Sequence, residues 1–123
     1  MLRGWKSTMP YRRGDVVLVS FPNSDLRTFK KRPALVVQDE TVQTGLRQRI
    51  VALITSNMAR TGTTRITIHQ ASNEGQQMGI RTDSVIAIDN LATIPDRAID
   101  KLIWSCPVMG SIDGALKRLF GLT

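Results

Sequence analysis

DVVLVSFPNSDLRTFKKRPALVV, residues 15–37, sets two apolar runs on either side of a basic, turn-rich connection. Val16, Val17, Leu18 and Val19 leave almost no polar position between Asp15 and Phe21, the composition of a strand buried on much of both faces. Pro22, Asn23, Ser24 and Asp25 are turn formers, and the residues onward to Lys31 keep no period, so a loop of about ten residues is expected. A loop of that length in a small domain suggests function. Pro33 then opens a second run, Ala34 to Val37, at a strand's first residue, where a missing N–H is tolerated.

Working outward, Asp39 to Arg47 is a polar connection, and Ile50 to Ile54 is a third buried strand that ends in Thr55, Ser56 and Asn57. Residues 58–64 read as loop. Arg65 to His69 alternates polar and apolar, as a half-exposed strand should. Residues 70–79, with Gly75 and Gly79, are expected to form a flexible crossing. Ser84 to Ile88 is another strand, Leu91 to Ile94 continues the sheet until Pro95 starts a short turn or helix, and Leu102 to Trp104 is a final edge strand. Met109, Ile112, Leu116, Leu119 and Phe120 fall on one helical face, with Asp113 and Lys117 spaced to pair at i,i+4. Five or six short strands and a terminal helix, without regular βαβ alternation, predict a mainly β fold: a small antiparallel barrel with a C-terminal α-helix.

Composition agrees. A chain of 123 residues is of one-domain size, and 41% hydrophobic with 22% charged residues is a globular balance. Aromatics are only 5%, so the core is aliphatic, which suits strands. Residues 1–9 are read as an N-terminal extension expected to be disordered, and 10–123 as a single domain. MLRGWKST lacks the apolar stretch of a secretory signal, and Met9 is a second candidate start. No run approaches a membrane span. The single Cys106 excludes an internal disulfide and a cysteine-built zinc site, and fits a reducing cytoplasm.

The formal charge is +7, and six basic against two acidic residues between Arg12 and Arg32 place more than half of it in one short stretch. Such a field favours polyanionic partners, although a solubilising surface would look the same from composition alone.

GDVVLVSFP at Gly14–Pro22, KRPALVV at Lys31–Val37, ALITS at Ala52–Ser56 and GIRTDSVIAIDNLATI at Gly79–Ile94 occur in the order seen in one family. Taken together they resemble MazF/PemK toxins over roughly residues 10–122, a far more specific signal than any one string. The resemblance implies an SH3-like barrel, a homodimer, a cognate MazE-like antitoxin, and sequence-selective cleavage of single-stranded RNA with no metal or other cofactor. It also places the family's active-site arginine, which precedes a proline, at Arg32, and the matching hydroxyl at Thr55, with Ser56 beside it. Asp89 matches an acidic residue that some members use. The arginine those members carry two residues earlier is Ala87 here, and their first-loop histidine has no counterpart.

Those residue types suit the chemistry. When a ribose 2′-OH attacks the adjacent phosphorus, the crowded oxygens need donors, the 2′-OH a base and the leaving oxygen an acid. Arg32 offers a permanently charged planar fork for phosphate oxygens, which ranks stabilisation above proton transfer. Thr55 can donate to phosphate or orient the 2′-OH. Arg27, Lys30, Lys31 and Asn57 are read as RNA contacts and Phe21 as a base-stacking or core residue. His69, the only histidine, is given no catalytic role. Two alternatives stand beside this reading: a non-enzymatic toxin resembling CcdB that binds gyrase, and a catalytically inactive RNA-binding module. CcdB-like chains end in a tryptophan-containing tail, whereas this one ends LFGLT.

Overall fold

A computed structural model describes residues 11–22, 25–42 and 44–122. The expected extension over residues 1–9 lies outside the described residues. Six antiparallel strands form one sheet: β1 (Asp15–Pro22), β2 (Phe29–Val36), β3 (Gln48–Thr55), β4 (Arg65–Ile68), β5 (Ser84–Pro95) and β6 (Ile99–Ser105), in the order β4-β5-β3-β2-β1-β6. Among the described residues the α-helices are α1 (Asn73–Met78) and α2 (Met109–Phe120). The mainly β class and the C-terminal helix agree with the sequence, but the sheet is open, with β4 and β6 as its edges.

Strand alternation divides the apolar side chains between two faces. Val16, Leu35, Ala52, Ile54, Ile86 and Ile88 form one core with Ile112 and Ala115 of α2. Val17, Val19, Ala34, Val36, Val51, Ile94 and Ile99 form the other. Runs that are apolar at every position, such as Val16–Val19, therefore serve both cores at once. Burial of a side chain the size of Leu35 or Ile112 contributes about 1.5–3 kcal/mol. The helix is tied down at its exposed side by Arg13, whose guanidinium pairs with Asp113, and not by the i,i+4 partner Lys117 that spacing suggested.

Three expectations change. The loop after β1 is shorter than ten residues, because β2 already begins at Phe29 and pairs with Pro22. Pro33 therefore lies inside β2, opposite Leu18, not at its start. It is tolerated because the ladder from β2 to β3 covers only Ala34 to Val36, so the first half of β2 is paired on one side alone. Third, the crossing at 70–79 contains α1, capped by Ser72, whose Oγ accepts the N–H of Gly75, and closed by Gly79 at φ +68°. Gly79 also abuts the Trp104 indole, so a side chain there would meet both backbone strain and a ring.

Candidate functional site

Arg32 and Thr55 flank the end of the β2–β3 ladder. Ala34 pairs with Leu53, Leu35 with Ala52 and Val36 with Val51; the same register extended by two residues sets Arg32 opposite Thr55. The ladder stops at the Ala34 rung, next to Pro33, which has no N–H to give. Both residues stand on the face that carries Val17, Val19, Ala34 and Val36, at the open end of that rung. Arg32 is half-buried, cross-strand from the fully buried Val19, and among the described residues it makes no ion pair. Its charge is left to face an incoming anion.

Thr55 ends β3, and its Oγ1 accepts the N–H of Asn57 at 3.1 Å. With one lone pair so used, the hydroxyl proton is available to donate outward. Asn57 repeats the device, its Oδ1 accepting the N–H of Ala59 at 3.0 Å, which leaves its amide N–H groups free of that turn. Ser56 is exposed between them. The two turns thus leave a row of side-chain donors at the end of β3.

The remaining candidates separate. Lys30 pairs with Phe21 across β1–β2 and shares the face of Arg32. Lys31 points to the opposite face, where its Nζ meets Asp100 of β6 at 3.3 Å, so alternation removes it from the group in which the sequence placed it. Phe21 is half-buried against the second core, the core reading of the two that the sequence left open. Arg27 is exposed in the turn between β1 and β2. That turn is organised by Asp25, which accepts the N–H groups of Arg27 at 2.9 Å and Thr28 at 3.0 Å. The same bonds, that from Arg27 foremost, hold its carboxyl below the usual carboxylate range.

Asp89 lies in a bulge of β5. One step on β3, from Ala52 to Leu53, spans the step from Leu91 to Ala87 on β5, so residues 88–90 leave that ladder. Its carboxylate is gripped by Arg65 of β4, Nη2 to Oδ1 at 2.9 Å and Nε to Oδ2 at 3.2 Å, with Thr64 Oγ1 on Oδ2 at 3.3 Å. Asp89 is therefore the acceptor of a fork. Arg65 was not singled out from the sequence, where a polar residue at the start of an alternating strand reads as solvent-facing. His69 is exposed, and its Nδ1 lies 3.4 Å from Asp83. No group of three or more His, Cys, Asp or Glu able to hold a metal occurs among the described residues, and no described helix is long and apolar enough to cross a membrane.

Solved structures with this fold include the Mycobacterium tuberculosis toxin MazF-mt6, 23% identical, covering 89% of this chain and 98% of its own, with a TM-score of 0.68. An endoribonuclease in complex with its cognate antitoxin from Mycobacterial species is 19% identical over 92% of this chain and 97% of its own, TM-score 0.70. MazE-MazF from Deinococcus radiodurans gives 19% identity, 92% and 98% coverage, and a TM-score of 0.69. No curated protein sequence matches the chain. The family model described as PemK-like, MazF-like toxin of type II toxin-antitoxin system matches residues 12–120, nearly the whole chain, and the chain belongs to that family.

Proposed function

We propose that this toxin is an endoribonuclease that cuts single-stranded RNA sequence-selectively and without a metal cofactor, and that it acts as a homodimer restrained by a MazE-like antitoxin. The observation that supports the reading is that the β2–β3 ladder ends at Ala34–Leu53 with Arg32 and Thr55 each two residues beyond it on the same face. In the reaction the 2′-oxygen bonds to phosphorus as the bond to the 5′-oxygen breaks. The 2′-OH proton leaves to an acceptor and the departing oxygen takes one up, giving a 2′,3′-cyclic phosphate and a 5′-OH. Arg32 holds the equatorial oxygens where charge grows, and Thr55, its lone pair committed to Asn57, donates its proton to the same phosphate. The structural relatives titled as an endoribonuclease with its antitoxin and as MazE-MazF support both the activity and the partner.

The test is incubation of the purified protein with single-stranded RNA in EDTA, followed by mapping of the ends. Cuts bearing cyclic phosphate are expected, and Arg32→Ala should lower the rate about 10²- to 10³-fold, the usual cost of one transition-state donor. Thr55→Ala should also lower it strongly in a folded protein. Intact RNA would reject the enzyme in favour of a binding-only module or a gyrase-directed toxin.

A further inference from the structure

The face that carries Arg32 and Thr55 runs on across β5 to β4. Thr55 pairs with Val85, and Val85 with Thr67; one row along, Leu53 pairs with Ala87, and Ala87 with Arg65. Three strand spacings, about 14 Å, separate β2 from β4. An RNA strand held at Arg32 therefore reaches the Arg65–Asp89 fork with a nucleotide flanking the one at Thr55. Ala87 contributes only a methyl between them, so the Arg65 guanidinium passes diagonally over it to Asp89. Arg65 is 14% exposed, Asp89 35%: the guanidinium supports from beneath, and the carboxylate is the part that a ligand meets.

A carboxylate on a face built for polyanions repels phosphate, so what it can accept from an RNA strand is an N–H or O–H donor. Of its roughly four lone-pair sites, Arg65 occupies two and Thr64 a third, leaving one on Oδ1. One fixed acceptor suits one exocyclic amino hydrogen, such as cytosine N4 or adenine N6, whereas the only donor on the uracil edge, N3–H, is flanked by two carbonyl oxygens that a carboxylate repels. We propose that Asp89, oriented by Arg65, is a specificity-determining residue that selects an amino-bearing base over uracil beside the cleaved bond. This rests on the RNA reading above.

Binding of 2′-O-methylated oligo(C), oligo(A) and oligo(U), which cannot be cut, tests it by fluorescence anisotropy. The wild type is expected to favour oligo(C) or oligo(A) over oligo(U) by about tenfold, the worth of one charge-assisted hydrogen bond. Asp89→Asn should bring that preference to within about twofold with oligo(U) affinity unchanged. Arg65→Lys, which keeps the charge but not the fork, should do the same. A fall on all three oligomers with a lowered melting temperature would make the pair a structural clamp and overturn the proposal. So would an unchanged preference with loss of cleavage alone, which would make Asp89 a base. Failure of every oligomer to bind would instead reject the RNA reading itself.

Discussion

At the scale of single residues, two arginines that look alike in sequence stand in opposite surroundings. Arg32 is half-buried at an open rung, whereas Arg49 is 1% exposed, its Nη1 3.4 Å from Asp96 and 2.7 Å from the Gln48 carbonyl. Replacing Arg32 by lysine keeps a charge but loses the planar fork. The variant is expected to fold with the wild-type melting temperature yet cut RNA at least tenfold more slowly, and wild-type rates would show that a point charge suffices. Asp96→Ala removes one carboxylate that faces the buried Arg49 guanidinium, expected to cost about 1–3 kcal/mol in urea unfolding. A change within 0.5 kcal/mol, about the scatter of surface substitutions, would make that pair incidental. Arg32 was singled out because the proline after it and the apolar run beyond mark a distinctive position. Arg49 was not, since nothing local tells a buried cation from a surface one; its burial depends on the short 3-10 turn Asp96–Ala98 packing back beside β3.

Among the elements, strands were the easiest to read and their partners the hardest. Val16, Val17 and Val19, like Val51, Ala52 and Ile54, divide between two cores, and that signal is local, although Ile50 at the start of the second run is exposed. The position of Pro33 inside β2 is not local, because it depends on where β3 stops pairing. The six-residue α1 escaped because it is polar apart from Met78 and contains Gly75. The terminal helix was legible from its apolar face, and its anchor can be weighed: Ile112 is fully buried, so Ile112→Ala is expected to cost about 2–5 kcal/mol. A loss below 1 kcal/mol would mean that α2 is peripheral to the core. Cys106 packs in the same cluster, and burial pushes its thiol up, so alkylation should be slow until the protein unfolds.

Over the whole molecule, the +7 charge matters less than the face on which each cation stands. Lys30 and Lys31 are sequence neighbours of identical charge, yet one shares the face of Arg32 and the other pairs with Asp100 on the opposite side. If total charge governed RNA affinity, Lys30→Ala and Lys31→Ala would weaken binding equally. If the Arg32 face is the RNA surface, only the first removes a phosphate contact. Each such contact contributes about −0.7 to the slope of log K against log salt for a single strand. Arg27, Lys30 and Arg32 together should therefore give a slope near −2 with an uncleavable oligomer. Lys30→Ala is expected to make it shallower by about 0.7, with Lys31→Ala leaving it where it was. Equal effects from the two lysines would show that RNA does not choose between the faces, and the grouping of Arg32, Thr55 and Lys30 as one binding surface would fall with that result.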